Sequence, residues 1–207
     1  MVAPALACFT MTEHSATGFA LFDTAIGHCA VAWGEHGIVS MQLPESTEAA
    51  TRARMQRRHP GAVESAPPPS VQAAVDGVVA LMEGEDVDLS RVELDMDGVP
   101  EFHRRVYELA LQIPRGQTMT YGEIANRLNE PGSARAVGQA LGANPFAPVV
   151  PCHRVLAAGA KLGGFSAQGG LATKLRILAI EGAHVTQALT PDLFDDEPAY
   201  RAQSRRP

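Results

Sequence analysis

The residue types best suited to covalent chemistry stand together in Pro151-Cys152-His153-Arg154. A cysteine attacks as its thiolate, and a nearby imidazole can take the thiol proton. Because adjacent side chains rarely bond to each other directly, this transfer requires a bridging water or an unusual turn. A carboxylate that orients the imidazole completes such a set, and Glu181 is the candidate. The pattern indicates a cysteine nucleophile, although a Cys-His pair also occurs for purely structural reasons.

Helices are predicted to position this cysteine. Apolar residues recur at helical spacing over residues 102–113, and Pro114 and Gly116 end that helix. Thr120-Tyr121-Gly122-Glu123 has the form of a capping box, which predicts a short helix to about residue 128. Ser133 is predicted to cap a second short helix that ends before Asn144-Pro145. Two short helices joined by a tight turn form a helix-turn-helix.

The second helix of this pair is rich in small side chains, at Ala134, Ala136, Gly138, Ala140, Gly142 and Ala143. Small side chains let a helix approach a surface closely, and the minor groove of DNA, only about 6 Å wide, demands that. A major-groove reader would carry long polar side chains instead. Close packing against another helix is the alternative interpretation.

The first half of the chain reads as a small α/β unit without evident chemistry. Short strands bounded by turn residues are predicted over residues 20–22, 28–33 and 38–43. Helices are predicted over residues 45–58 and 71–83, and one more strand over residues 87–94.

The charges divide unevenly along the chain, whose net charge is −6. Residues 1–100 hold 5 Lys or Arg against 14 Asp or Glu, whereas residues 101–207 hold 12 against 9. The acidic half should therefore face away from phosphates, while the second half can contact a few of them.

Cysteine usage and hydropathy narrow the cellular setting. Three cysteines, an odd and low count, argue against a disulfide framework and for a reducing compartment, so a cytoplasmic protein is expected. Cys8 and Cys29 lack partners at ligand spacing and are interpreted as buried apolar residues. Because no apolar run approaches the roughly 18 residues that cross a bilayer, no membrane span is expected.

The segment Val150-Pro151-Cys152-His153-Arg154-Val155 resembles the active-site motif of the O6-alkylguanine-DNA alkyltransferases, or methylated-DNA–protein-cysteine methyltransferases. The resemblance covers residues 102–182, and its other motifs are Ile113-Pro114, Thr120-Tyr121-Gly122, Ala134-Arg135-Ala136-Val137-Gly138, Asn144-Pro145, Gly163-Gly164-Phe165 and Glu181-Gly182. It implies DNA repair by irreversible transfer of an alkyl group from O6-alkylguanine to Cys152, once per molecule and without a cofactor.

The predicted fold has three parts. Residues 1–98 form an α/β domain, a small antiparallel sheet with helices that is ribonuclease-H-like. Residues 99–188 form a mainly α, winged-helix-like domain with the helix-turn-helix, which binds DNA and accepts the alkyl group. Residues 189–207 form a mobile tail, and the whole protein is expected to be a monomer.

The resemblance also implies catalytic roles. Cys152 accepts the alkyl group, His153 takes its proton through a water, and Glu181 holds His153 in the right tautomer. Tyr121 assists the departure of guanine at N3, and Asn144 ties the turn between the second helix and the cysteine.

The contacts to DNA are implied in the same way. The target base is flipped out of the duplex, and Arg135 fills the gap in the stack. The small residues Ala134, Ala136 and Gly138 touch the minor groove of double-stranded DNA. The flipped base meets backbone groups of Val155 and Ser166 and the ring of Phe165, and these three residues form the expected substrate pocket.

The chain departs from the family pattern at three places. Phe165 stands where the family often has Tyr, and the loop at residues 166–170 is about two residues longer than usual. Because of these two departures, the sequence leaves the preferred alkyl group open. It also leaves open whether O4-alkylthymine is a substrate. Some relatives bind zinc through Cys and His, but Gly34 and Val39 stand at the nearest positions, so no metal is expected.

The sequence leaves two alternatives to the alkyltransferase. One is a non-catalytic protein that flips and flags alkylated bases, although relatives of that type lack the cysteine. The other is a Cys-His-Glu hydrolase or acyltransferase on an unrelated fold. Separately, Thr190-Pro191-Asp192-Leu193-Phe194 loosely resembles peptides that hold the bacterial sliding clamp, with packing on its own domain as the simpler interpretation.

Overall fold

The computed structural model describes residues 16–159 and 162–183. Its first part is an antiparallel meander of β1 (Gly18–Thr24), β2 (Gly27–Gly34) and β3 (Gly37–Gln42). The short strand β4 (Val63–Glu64) adds in parallel to β1, giving the order β3-β2-β1-β4. Gly27 and Gly37 begin their strands at φ +126 and +122, a conformation that L side chains rarely adopt. The three strands predicted for this part are confirmed.

Two helices accompany the sheet. α1 (Glu48–Arg58) begins after Thr47, whose side chain accepts a hydrogen bond from the Ala50 amide. α2 (Pro69–Met82) carries proline at its first position, where the missing N–H costs nothing. The sequence placed the start of the first helix three residues too early because the Thr47 cap was not recognised.

The strand predicted over residues 87–94 is wrong. Leu94 forms only an isolated bridge with Ile38, although the Ile38 amide donates to Glu93 and the Asp95 amide donates back to Ile38. Although this segment has a strand-like composition, it only covers one edge of β3 and does not extend the sheet.

The second part is mainly helical. It contains α3 (Glu101–Leu111), β5 (Met119–Thr120), α4 (Tyr121–Arg127), α5 (Ala134–Gly142), β6 (Val155–Leu156) and α6 (Leu171–Ile180), and β5 pairs with β6 in parallel. The predicted capping box is confirmed: Thr120 Oγ1 accepts from the Glu123 amide at 3.1 Å, and Glu123 Oε2 accepts from the Thr120 amide at 2.6 Å.

The start of α5 differs from the prediction. Ser133 occupies the N-cap position, but its hydroxyl donates to the Glu130 carbonyl at 2.8 Å and does not cap the helix. Val137, Ala140 and Leu141 are buried and hold α5 against α3 and α4. The buried Tyr107 hydroxyl also donates to the Ala140 carbonyl at 2.8 Å. These contacts leave the N-terminal turn of α5 to face outward.

One apolar cluster joins the two parts. It contains Val31 and Val71 from the first half and Val106, Val137 and Ile177 from the second. The second part therefore rests on the first over a common core. The boundary at residue 98 stays a prediction, and the tail segment at residues 190–194 lies outside the described residues.

No helix among the described residues is long and apolar enough to cross a membrane.

Candidate active site

Asn144 fixes the approach to the candidate nucleophile. Its side-chain amide donates to the Val150 carbonyl at 2.9 Å, and its side-chain oxygen accepts from the Phe146 amide at 2.9 Å. The two bonds close the loop that follows α5. A single 3-10 turn, Cys152–Arg154, comes directly after this loop, and Cys152 is half-buried at its start.

The same turn directs His153 and Arg154 into the protein, onto one carboxylate. His153 Nε2 lies 2.9 Å from Glu181 Oε1, and both side chains are fully buried. Arg154 forms a two-pronged ion pair with Glu181 at 2.9 and 2.7 Å and donates to the Ile113 carbonyl at 2.6 Å. Glu181 sits directly after α6, so the end of that helix braces the reactive turn.

The protonation states follow from this environment. Burial favours the neutral carboxyl, but the hydrogen bonds from His153 and Arg154 prevail and bring the pKa of Glu181 to about 2. Burial lowers the pKa of His153, against the pull of Glu181, so its imidazole is neutral near pH 7. Nε2 then donates to the ionised Glu181, which leaves Nδ1 with the lone pair of a base. Nδ1 is buried and has no protein partner within the described residues.

The thiol of Cys152 is not ionised at rest. Burial raises its pKa, while the Asn144 amide, the Lys174 ammonium and backbone amides act in the opposite direction. A thiolate must therefore form when a base takes the proton, and the groups that lower the pKa then stabilise the anion.

Lys174 is a residue of this site that sequence reasoning missed. Its ammonium is fully buried and donates to the Val155 carbonyl at 2.6 Å and to the Leu162 carbonyl at 2.7 Å. Burial lowers its pKa to about 8, although the thiolate form of Cys152 acts to raise it. It also lies 5.9 Å from the centre of the Phe165 ring. Lys174 thus fastens the segment before Phe165 to the strand that follows Cys152.

A sequence signal for Lys174 existed. Residues 174, 177, 178 and 181 share one face of a helix, and all four are buried. A lysine on this buried, otherwise apolar stripe needs hydrogen-bond partners inside the protein, because an unpaired buried charge is costly. That placement distinguishes it from a surface lysine.

A cavity of about 510 Å³ opens over Cys152. Its lining includes Tyr121, Ala134, Arg135, Gly138, Phe165 and Ser166. We call it the base cavity, since its volume suits a small planar ligand. Six residues predicted for the site, from three chain segments, thus line the cavity together with Cys152.

Tyr121 forms one wall of the base cavity and requires glycine beside it. A Cβ atom on Gly163 would lie 2.9 Å from the Tyr121 hydroxyl, and Gly163 also has φ +69. Gly138 faces the same ring, and a Cβ atom added to Gly138 would lie 3.9 Å from the nearest ring carbon of Tyr121. Burial raises the pKa of Tyr121, so its hydroxyl stays protonated and able to donate.

The remaining predicted residues differ in their surroundings. Ser166 is exposed, and its hydroxyl donates to the Gly142 carbonyl at 3.2 Å. Val155 is buried, and its carbonyl accepts from Lys174 while keeping a second lone pair. Arg135 and Ala136 lie on the outward first turn of α5, where Arg135 is exposed. Within residues 16–159 and 162–183 no three His, Cys, Asp or Glu side chains are placed to hold a metal.

Comparisons with known proteins point to one family. Residues 101–183 match the family model described as the DNA-binding domain of 6-O-methylguanine DNA methyltransferase. A methylated-DNA–protein-cysteine methyltransferase of Methanothermobacter thermautotrophicus is 36% identical over 152 residues, which cover 73% of this chain and 78% of the relative. A protein of the same name from Mycolicibacterium paratuberculosis is 47% identical over 128 residues, covering 62% of this chain and 74% of the relative.

Solved structures give the same result. Mycobacterium tuberculosis OGT in complex with DNA has a TM-score of 0.65 and 36% identity, covering 80% of this chain and 93% of that one. The O6-methylguanine-DNA methyltransferase of Pyrococcus kodakaraensis has a TM-score of 0.63 and 27% identity, covering 80% and 99%. The chain therefore belongs to the methylated-DNA–protein-cysteine methyltransferase family.

Proposed function

We propose that the protein repairs alkylated DNA directly, by moving the alkyl group of O6-alkylguanine onto Cys152. The observation that carries this proposal is the buried hydrogen bond between Glu181 and His153, next to Cys152, which is in the lining of the base cavity. The relatives named as methyltransferases support it. The presence of Cys152 and its base disfavours a protein that only flags the lesion.

The chemical step is a single displacement at the alkyl carbon. His153 Nδ1 takes the thiol proton through a water, and Glu181 steadies the resulting imidazolium. The sulfur–carbon bond forms as the carbon–O6 bond breaks, and the electron pair passes to the purine. Tyr121 donates a hydrogen bond at N3, which makes guanine a better leaving group. The departing guanine anion takes a proton from water, and the His153 imidazolium returns the thiol proton to water, so the step balances.

The product explains why each molecule acts once. A thioether on Cys152 has no acidic proton and no easy leaving group, so the thiol is not regenerated. With lesion-bearing duplex in excess, we expect removal of O6-methylguanine to stop when the amount removed equals the amount of protein. Chromatography of the hydrolysed DNA measures this plateau. Removal that continues well beyond that amount would identify a turnover enzyme and contradict the proposal.

For DNA binding, we propose that α4 and α5 act as a helix-turn-helix whose second helix lies in the minor groove. The small residues Ala134, Ala136 and Gly138 allow the close approach that a narrow groove needs. The reacting atom of guanine is inside the duplex, so the nucleotide must be flipped into the base cavity. Arg135, exposed on the first turn of α5 at the mouth of that cavity, occupies the gap.

An Arg135→Ala variant is expected to react with lesion-bearing duplex roughly ten to a hundred times more slowly, because flipping costs a few kcal/mol that the arginine helps to offset. Reaction with the free base O6-benzylguanine requires no flipping and should change little. Single-turnover rates on both substrates measure the difference. Arg127→Ala, on α4 and outside the cavity lining, is the matched control. Equal losses on duplex and free base would refute the proposed role.

Several finer features belong to the same proposal. We place the protein in the cytoplasm as a monomer, with the ribonuclease-H-like and winged-helix-like topologies of the family in its two halves. Binding of residues 190–194 to the bacterial sliding clamp remains a prediction. A pull-down with the clamp tests it by comparing the wild-type protein with Phe194→Ala.

A further inference from the structure

A second cavity borders the same thiol from the side of the first domain. It measures about 50 Å³, and its lining includes Gln42, Arg54, Arg58, Asn144, Cys152 and Phe165. We call it the side cavity. Since about 10–15 Å³ of such space holds one water, it accommodates a few non-hydrogen atoms. The side cavity is thus too small for a base but large enough for part of an alkyl substituent.

One buried polar group that lines the side cavity, the side-chain amide of Gln42, is not fully satisfied among the described residues. Gln42 is only 4% exposed, and its side-chain oxygen is buried with no hydrogen-bond partner among the described residues. Its amide nitrogen reaches the Thr51 carbonyl only at 3.5 Å, a weak contact. A buried amide in this state costs stability unless a ligand completes its bonds.

The two arginines differ in their engagement. Arg54 is ion-paired with Glu45, whereas Arg58 forms no ion pair in the part of the chain that the structure describes. Partial burial and the charge of Arg54 lower the pKa of Arg58, which still remains a cation at neutral pH. Arg58 therefore offers free donors to the cavity that Gln42 also lines.

The geometry of the displacement connects this cavity to the substrate. Sulfur, carbon and O6 lie nearly in line during the transfer, so any further atoms of the alkyl group project sideways from that line. The base fills the base cavity. The side cavity also reaches Cys152, and Leu141, Phe165 and Ser166 line both spaces. The side cavity is therefore the space beside Cys152 that is left for an alkyl chain longer than methyl.

We propose that the side cavity selects O6-alkyl groups that end in a hydroxyl, such as 2-hydroxyethyl. A hydroxyl accepts a hydrogen bond from Arg58 and donates one to Gln42, and it suits either orientation of the Gln42 amide. A carboxylate matches Arg58 but only one amide orientation, and a methyl terminus leaves both groups unpaired. This inference rests on the proposed function and assigns its substrate preference.

The test compares two lesions of equal size in the same duplex, O6-(2-hydroxyethyl)guanine and O6-propylguanine. For each protein, single-turnover transfer to Cys152 gives a rate ratio of hydroxyethyl over propyl, from which differences in DNA affinity cancel. We expect Arg58→Met to lower the ratio about tenfold and Gln42→Met about threefold, the effects of losing one charged and one neutral hydrogen bond. Arg57→Met, an exposed neighbour on α1 outside the lining, should leave the ratio unchanged.

The outcomes separate this inference from the function on which it rests. Methyl transfer by the wild-type protein tests the function alone. If methyl is transferred but the ratio is the same in Arg58→Met and wild type, the hydroxyl subsite is refuted. An equal fall in Arg57→Met also refutes it, because the effect would then be one of general charge. Arg58 is on the surface, so its variant carries the test even if Gln42→Met does not fold.

Discussion

A Cys152→Ala variant is expected to bind lesion-bearing duplex with near wild-type affinity and to transfer no alkyl group at all. The substitution removes the attacking sulfur but leaves α4, α5 and the lining of the base cavity in place. Fluorescence anisotropy measures the binding, and chromatographic loss of O6-methylguanine measures the transfer.

Cys29 provides the matched control for this experiment. It is fully buried in the sheet, and burial raises its pKa to about 12, so it is inert as a nucleophile. Cys29→Ala should therefore keep full transfer. Transfer by the Cys152→Ala protein, or its loss in the Cys29→Ala protein, would contradict the assignment of the acceptor.

Glu181→Gln is expected to cause the largest loss of stability at the site. The change breaks a buried ion pair and leaves the Arg154 guanidinium without its counter-charge, which costs about 3 kcal/mol in the free energy of unfolding. Transfer should also slow roughly a hundredfold, because His153 loses the carboxylate that orients it. Urea denaturation and single-turnover rates measure the two effects.

A matched control is Glu130→Gln. Glu130 pairs with Arg105 at 2.6 Å, but both side chains are about two-fifths exposed, so the pair contributes less than about 1 kcal/mol. A loss of stability in Glu130→Gln as large as in Glu181→Gln would contradict the special place given to the buried pair.

The same carboxylate predicts a pH dependence of stability. The pKa of Glu181 falls from an ordinary 4.5 to about 2 in the folded protein, so its contribution is complete above pH 4.5 and is lost as the pH falls toward 2. The lowered pKa of His153 acts in the same direction below pH 6.5. The difference in stability between wild type and Glu181→Gln should therefore shrink between pH 4.5 and 2.

Local sequence signals proved the most reliable guide to this fold. The capping box at Thr120 and Glu123 involves residues three apart, so it can be recognised without tertiary information. Residues 87–94 have the composition of a strand, yet they only cover the edge of β3, an outcome set by tertiary contacts. Ser133 similarly has the right identity for a cap, but its hydroxyl turns to the preceding loop.

In the candidate site, too, the sequence revealed some residues, while others depended on tertiary contacts. The resemblance named Cys152, His153 and Glu181, and the structure brings them together, while their roles stay predictions. Lys174 and the ion pair of Arg154 were missed because their partners are distant in the chain and, for Lys174, are backbone carbonyls. Every residue carries a backbone carbonyl, so such an acceptor cannot be recognised from the residue types in the sequence. The side cavity escaped for a related reason, since Gln42 and Arg58 come from the half without evident chemistry.

The most direct test of alkyl transfer to Cys152 is the mass of the peptide that contains Cys152, measured after the protein is incubated with an excess of O6-methylguanine duplex. A permanent gain of one methyl group on this peptide, with peptides containing Cys8 and Cys29 unchanged, is the expected result. An unmodified Cys152 peptide after all accessible lesions have been offered, or a methyl group found on another residue, would contradict the central claim.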